Sequence, residues 1–266
     1  MIEKAPLVPP DYDEKKELDA LHQKVGSMIN FGWNLEEGAL YKKGFSAKII
    51  NSLLKTMGMS TDAYFNWVND KSDWRRYEFP LTDKSLIFDV GGFDGKWAAK
   101  MFEKYGCKIH VFEPVKSFYD DIVSLFNNVA EIKSTAKKNV VVHNFGLSDE
   151  DKDQNIYLAG DASTIYLHNE NAEKIKLVDF NAWIEENKIE CIDLMKQNLE
   201  GGEYALLMSI IKAGNHTKIK NILVQFHRFP EYYESYREAI HNELKKTHEL
   251  TFCYDFIWEN WTLKEK

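Results

Sequence analysis

Residues that could hold a ligand are concentrated in one short stretch of the chain. Asp89 precedes Gly91, Gly92 and Gly95 within the run Leu86–Gly95. Glycine tolerates positive φ and lets a ligand approach the backbone, and a helix that begins after the glycines supplies free N–H donors. The spacing differs from the Gly-x-Gly-x-x-Gly fingerprint of dinucleotide sites. The acidic residue before the loop suits a ligand that carries an ammonium group and no phosphate.

The elements around this loop can be predicted from hydrophobic patterning. The apolar residues of Leu86–Val90 predict a strand buried on both faces, and Lys96–Tyr105 reads as an amphipathic helix. A second strand, Lys108–Phe112, ends at Glu113 and Pro114. Strand, glycine turn, helix and strand form the kind of unit that cradles a ligand.

Asp89, Gly91 and Gly95 resemble the Asp-x-Gly-x-x-x-Gly motif that opens S-adenosylmethionine (SAM)-dependent methyltransferases. An ordinary strand-to-helix turn is the alternative. Glu113 lies about 20 residues beyond the loop, where an acidic side chain can accept hydrogen bonds from both ribose hydroxyls of an adenosine. Its alternative is a solvated carboxylate at a strand end. Together the two motifs predict a site for SAM.

Residues that bind the methyl acceptor and remove its proton are expected after the fourth and fifth strands. The carboxyl ends of these strands meet at one edge of a doubly wound sheet. Asn198 and Glu200 follow the fourth predicted strand, Glu190–Lys196, and His227 follows the fifth, Ile219–Phe226. His227 titrates near neutral pH and is the first candidate for a general base, with Glu200 as the alternative base or as the group that orients the histidine. Gln197 and Asn198 are candidates for holding the methionine part of SAM. Structural roles at a strand end or a helix N-terminus are the alternatives for His227 and Glu200.

Weaker candidates lie in loops. Asn144 and Gly146 follow the third strand and could border the adenine, although a plain turn explains them equally well. Ser163 and Thr164, in a polar loop between two short extra strands, could face the acceptor. Arg228 suits an acceptor phosphate, or equally pairs with Glu231 on the surface.

A divalent metal is a further open possibility, because asparagine, glutamate and histidine side chains meet at the same predicted edge. Such an ion would lower the pKa of an acceptor hydroxyl. The sequence pattern assigns no residue as a metal ligand.

Strands that alternate with helices predict an α/β fold with a doubly wound, Rossmann-like, mostly parallel sheet. Two strands abut at the C-terminus, with no room for a crossover helix between them, and must therefore be antiparallel. Residues 1–80 read as a helical appendage that could cap the site or form a homo-oligomer, and residues 81–266 as the methyltransferase domain. Trp258 and Trp261, in the last strand, are expected in the core.

The composition of the chain also bears on its partners, its cysteines and its cellular location. The net charge of −8 argues against a nucleic-acid partner, whose phosphates require a basic surface. Cys107, Cys191 and Cys253 are spread singly, as expected of reduced core residues rather than of disulfides or a zinc site. No signal-like or membrane-spanning apolar stretch is evident, so a cytoplasmic location is expected.

The run Ile192–Tyr204 resembles the segment after the fourth strand of FkbM-type methyltransferases, whose hallmark is Lys-Ile-Asp-x-Glu-Gly-x-Glu. Gln225–His227 and the C-terminal segment to Trp261 resemble bacterial members associated with surface-polysaccharide clusters. The resemblance implies SAM as cofactor, S-adenosylhomocysteine (SAH) as product and O-methylation of a sugar or related hydroxyl. Asn198 stands where the family usually has aspartate, which puts a charge-dependent role there in doubt.

The sequence thus predicts a SAM-dependent O-methyltransferase that acts on a sugar. The acceptor would be a small molecule, a nucleotide-linked sugar or a capsular or lipopolysaccharide precursor. A phosphate-type or small-metabolite acceptor is the nearest alternative. An NAD(P)-dependent oxidoreductase and a non-catalytic SAM-binding protein are the more distant ones.

Overall fold

The computed structural model describes residues 61–128, 138–157, 172–228 and 233–265. The predicted helical appendage lies outside the described residues as far as residue 60, and so do Ser163 and Thr164. Within the described ranges no helix has the length and apolar character needed to cross a membrane.

The described helices and strands alternate along most of the chain. The α-helices are α1 Thr61–Asn69, α2 Lys96–Tyr105, α3 Lys116–Asn128, α4 Phe180–Glu186, α5 Glu203–Lys212 and α6 Tyr233–Thr247. The strands are β1 Leu86–Val90, β2 Lys108–Phe112, β3 Val140–His143, β4 Gly146–Ser148, β5 Lys152–Tyr157, β6 Ala172–Asp179, β7 Leu194–Gln197, β8 Asn221–Val224, β9 His248–Tyr254 and β10 Trp258–Leu263.

Seven strands form the central sheet in the order β3-β2-β1-β7-β8-β10-β9. The first five are parallel to one another, and β10 runs antiparallel to both β8 and β9. The predicted doubly wound α/β fold and the antiparallel C-terminal pair are therefore confirmed. Strand order reverses between β1 and β7, which is the point where open α/β sheets bind their ligands.

Apolar clusters cover both faces of the sheet. One face packs against α1, α2 and α3 through residues such as Trp67, Met101 and Ile122. The other packs against α4, α5 and α6 through Trp183 and Leu207, among others. Trp258 belongs to the first cluster and Trp261 to the second, and both are buried, as expected for core residues.

The segment just before β1 is attached to the far edge of the sheet. Trp67 of α1 contacts the rings of Phe252 and Tyr254 on β9, and the Tyr254 hydroxyl donates a hydrogen bond to Asp70 at 2.7 Å. The described end of the predicted appendage therefore packs on the sheet.

A second, three-stranded sheet has the order β4-β6-β5. The sequence predicted its two longer strands, while the short strand β4 is new. Gly146 lies buried in β4 rather than in a loop, and a Cβ there would come within 2.7 Å of Leu177 Cδ2. Close packing against Leu177 accounts for this glycine, and its place beside the adenine stays a prediction.

The burial of the cysteines agrees only in part with the prediction that they are reduced core residues. All three are free thiols, but only Cys107 is buried, whereas Cys191 and Cys253 are exposed. Cys253 lies on β9, which is the edge strand of the sheet within the part of the chain that the structure describes.

Candidate functional site

The glycine loop between β1 and α2 is shaped by close backbone contacts. Gly91 has φ +85° and a Cβ there would lie 2.2 Å from the carbonyl oxygen of Asn198. At Gly92 a Cβ would lie 2.4 Å from Val111 Cγ1 on β2. No other residue type fits either position, and Gly95 then caps the N-terminus of α2. The loop is thus pressed between the ends of β2 and β7.

Glu113, at the end of β2, fastens this loop. Its carboxylate accepts hydrogen bonds from the backbone N–H of Phe93 at 2.8 Å and of Val115 at 2.9 Å. The side chain is almost fully buried. Burial raises the pKa of Glu113 to about 7, although the two N–H bonds and the charge of Lys196 oppose the shift. Glu113, the residue predicted to bind the ribose, therefore lies directly beside the predicted cofactor loop.

Asn144 supports the same region from β3. Its Nδ2 donates to the carbonyl oxygens of Glu113 and Pro114, each at 3.2 Å. The side chain holds the turn after β2, and its place beside the adenine stays a prediction.

A buried ion pair joins the loop to β7. Lys196 stands opposite Asp89 in the β1–β7 register, and its Nζ lies 2.8 Å from Asp89 Oδ1. The same Nζ donates to the carbonyl oxygen of Gly91 at 2.6 Å and lies 5.8 Å from the centre of the Trp97 ring. Burial raises the pKa of Asp89, and the charge of Lys196 opposes that rise. Lys196 was not among the predicted site residues.

The residues after Lys196 place unsatisfied oxygens at the sheet edge. Gln197 is fully buried, and its Nε2 contacts the sulfur of Met195 at 3.6 Å. Its Oε1 and the Oδ1 of Asn198 are buried and accept no hydrogen bond from the described residues. Gln197 therefore points into the core region, while Asn198 remains half-buried at the edge.

His227, after β8, lies between two glutamates. Its Nε2 is 3.1 Å from Glu200 Oε1, and its Nδ1 is 3.1 Å from Glu203 Oε1. The same Glu203 oxygen accepts the backbone N–H of His227 at 2.8 Å, and the other accepts Gly201 N–H at 2.9 Å. Glu203 is fully buried, whereas Glu200 is the more exposed of the two carboxylates. The sequence brought Glu200 and His227 together correctly but did not single out Glu203.

The charge state of this cluster differs from expectation. Burial lowers the pKa of His227, but the charges of Glu200 and Glu203 and the hydrogen bonds to them outweigh it and raise the pKa to about 10. Near neutral pH the imidazole is therefore protonated at both nitrogens. A protonated histidine cannot take a proton from an acceptor, so the structure does not favour His227 as the general base.

Arg228, the next residue, is exposed, and its guanidinium lies 4.7 Å from the centre of the Phe256 ring. It forms no ion pair within the described ranges, and Glu231, its predicted partner, lies outside them. In the same ranges no group of three or more His, Cys, Asp or Glu side chains is arranged to hold a metal ion.

The sequence profile of the methyltransferase FkbM domain matches residues 89–252, which is more than half of the chain. The chain belongs to the FkbM methyltransferase domain family. The match begins at Asp89 and includes the glycine loop, Glu113, Lys196–Glu203 and His227. It supports the predicted enzyme class, a SAM-dependent methyltransferase. No sequence among curated proteins matches the chain.

Three solved structures are similar to this chain in the course of the backbone. Methyltransferase FkbM from Methylobacillus flagellatus KT has 11% identity and a TM-score of 0.48, with 90% of this chain and 60% of that chain covered. An rRNA methylase from Streptococcus thermophilus has 10% identity and a TM-score of 0.41, with 70% of this chain and 90% of that chain covered. TrmK from M. capricolum, in complex with SAH, has 9% identity and a TM-score of 0.38, with 70% of this chain and 65% of that chain covered. Because these values are low, the family assignment depends on the domain match.

The FkbM domain offers acceptors that fit the ammonium group of SAM. Asp89 Oδ2 and Asn198 Oδ1 are buried without a hydrogen-bond donor among the described residues, and they lie at the ends of the neighbouring strands β1 and β7. A buried oxygen without a donor is costly, so such atoms indicate a missing partner. Asn198 supplies this acceptor without the negative charge of the family's usual aspartate.

Proposed function

We propose that this FkbM domain transfers the methyl group of SAM to a hydroxyl of a sugar, either nucleotide-linked or part of a capsular or lipopolysaccharide precursor. The observation that carries the proposal is the Glu200–His227–Glu203 cluster at the same sheet edge as the glycine loop. A sugar hydroxyl is a weak nucleophile that benefits from a positioned proton acceptor.

The order of strands suggests how the two substrates are arranged. Glu113, the glycine loop, Asn198 and His227 follow β2, β1, β7 and β8, which are consecutive neighbours in the sheet. With about 4.8 Å between strands, the span from Glu113 to His227 is about 14 Å. Ribose would bind at Glu113, the amino acid part beside Asp89 and Asn198, and the acceptor hydroxyl beside Glu200.

Bound SAM supplies an activated methyl group for an in-line displacement. The chain has to align the acceptor oxygen and take its proton. Glu200 is the group we assign to that proton, because it is half-buried and is the more accessible of the two carboxylates that flank His227. His227, as imidazolium, orients Glu200 from one side, and buried Glu203 fixes His227 through its ring and its backbone N–H.

The first test is calorimetric titration of the protein with SAH and, separately, with NAD(H), each with and without EDTA. Binding of SAH alone is expected, since the glycine spacing and the ammonium acceptors fit that ligand. Turnover is then measured with radiolabelled SAM on nucleotide sugars and oligosaccharides. Binding of NAD(H) but not SAH would contradict the cofactor assignment, and loss of SAH binding in EDTA would reveal a metal requirement.

A second prediction concerns Glu113. Glu113→Ala is expected to weaken SAH binding by about 1–3 kcal/mol, because charge-assisted hydrogen bonds to the ribose are lost. The wild-type affinity should also depend on pH, since ribose hydroxyls bind the ionised carboxylate better. Binding of SAH then lowers the pKa of Glu113 from about 7, and Glu113 releases a proton. Affinity should therefore rise from about pH 6 to about pH 7 and level off above.

Calorimetry across this pH range checks the effect, with Glu113→Gln as the matched variant that cannot titrate. A wild-type profile as flat as that of Glu113→Gln would remove Glu113 from the cofactor site.

A further inference from the structure

A surface groove of about 490 Å³ lies beside the proposed acceptor site and has no part in the proposed methyl transfer. Its residues come from α6, from the turn between β9 and β10, and from Arg228. The lining residues are Arg228, Glu234, Arg237, Glu238, His241, Asn242, Lys245, Asp255 and Phe256. Its volume is in the range of ordinary ligand sites.

Topology places one end of the groove at the reaction edge. Because β10 is antiparallel to β8, with Glu259 opposite Val224, the turn that precedes β10 lies beyond the carboxyl end of β8. His227 follows that same end. Arg228 then covers one face of the Phe256 ring, and Arg237 lies 4.9 Å from the ring centre. The groove therefore begins directly beside His227.

The floor of the groove is held rigidly. Arg237 bonds to buried Glu259 and to Asp255, and His241 Nε2 lies 2.7 Å from Glu259 Oε1. Trp261 Nε1 donates to the same Glu259 oxygen at 2.9 Å. The cationic charge of Arg237 is thus neutralised from below, while its guanidinium still lines the groove.

The wall formed by α6 offers free hydrogen-bonding groups. Glu234, Glu238, His241 and Lys245 are spaced by three or four residues and so share one face of the helix. The side chains of Glu238, Asn242 and Lys245 make no hydrogen bond or ion pair within the described ranges. From Glu234 to Lys245 the helix rises about 16 Å. The groove is therefore long enough for more than a single small group.

The charges of the lining side chains are balanced along this length. Arg228, Arg237 and Lys245 are opposed by Glu234, Glu238 and Asp255. A diphosphate would meet three carboxylates, and a polycation would meet three basic groups. Neutral hydroxyls can donate to the carboxylates and accept from Arg228, Asn242 and Lys245.

We propose that the groove binds a neutral oligosaccharide, so that the acceptor is a sugar within a glycan chain rather than a nucleotide-linked monosaccharide. This inference rests on the proposed function and selects among its acceptors. The sugar to be methylated would sit at Glu200, and the chain would continue past Arg228 along α6 toward Lys245.

The test is binding of the protein, with and without SAH, to an array of neutral oligosaccharides from one to six residues long, with UDP-glucose and GDP-mannose alongside. Longer oligosaccharides are expected to bind better than monosaccharides and nucleotide sugars. The double substitution Glu238→Ala with Lys245→Ala should weaken oligosaccharide binding at least tenfold and leave SAH affinity unchanged. The matched control is Glu243→Ala with Lys246→Ala, an exposed ion pair of the same helix outside the groove.

Binding of the nucleotide sugars alone, equal binding by the groove variant, or an array without any bound oligosaccharide would each overturn the proposal. Failure of SAH to bind while groove-dependent oligosaccharide binding persists would overturn the methyltransferase function and leave the groove assignment standing.

Discussion

Glu200→Gln is expected to lower turnover by about 10²–10⁴-fold with little change in SAH affinity. Removal of a positioned general base has an effect of this size. The amide keeps the shape of the side chain and its contact with His227 but cannot accept the hydroxyl proton. Turnover is measured on the acceptor found by the screen, and SAH affinity by calorimetry.

The pH profile separates this assignment from one in which His227 is the base. With Glu200 as base, turnover does not require deprotonation of His227 and should be level from about pH 7 to about pH 9. A histidine with a pKa of about 10 would be deprotonated only in a small fraction near neutrality, so turnover would rise about tenfold per pH unit toward that value. A rising profile, or a Glu200→Gln enzyme with near-normal turnover, would contradict the proposal.

Glu186→Gln on the exposed end of α4 is the control for a general effect of losing a carboxylate. It should match wild type in turnover and in SAH affinity. Glu203→Gln adds information of a different kind, because it lowers the charge that holds His227 protonated. Its pH profile, rather than its SAH affinity, should change.

The second large effect is expected at Lys196. Lys196→Met leaves Asp89 fully buried without its counter-ion and leaves the carbonyl oxygen of Gly91 without its donor. Breaking a buried pair by removing one partner costs about 3–5 kcal/mol. We expect a loss of that size in the free energy of unfolding, together with weaker SAH binding, because the same ammonium fixes the glycine loop.

Denaturant unfolding and SAH calorimetry measure the two effects. Lys220→Met is the matched control, because Lys220 pairs with Asp193 at 2.7 Å in a solvent-exposed position of the same sheet, where a pair contributes about 1 kcal/mol or less. Adding Asp89→Asn to Lys196→Met should recover part of the stability, since no unpaired charge remains. Equal losses for Lys196→Met and Lys220→Met would show that burial of the pair has no energetic consequence.

The fold was largely predictable because its strands are short apolar runs that alternate with amphipathic helices. The predicted ends of the strands were less accurate. The fourth strand was predicted from Glu190, but β7 begins at Leu194, and before it only an isolated bridge joins Ile192 to Ile219. Apolar residues continue through both segments, so hydrophobicity alone does not show where regular pairing starts.

The site was predictable in position and less so in chemistry. Sequence order places Glu200 and His227 after neighbouring strands, but it cannot show that Glu203 lies on the other side of the imidazole and keeps it charged. Lys196 was overlooked for a similar reason, because a lysine at the end of a strand is normally solvated. Only the structure shows that this one is buried and lies opposite Asp89.

The hydrogen bond from Phe93 N–H to Glu113 has a consequence for the entropy of ligand recognition. It ties the glycine loop to the end of β2 in the protein without ligand, and Phe93 holds a left-handed conformation, with φ 49°, that few non-glycine residues adopt. The conformational freedom of the loop is thus lost when the chain folds, not when a ligand arrives. A preorganised loop of this kind lets the full strength of each new contact appear in the affinity.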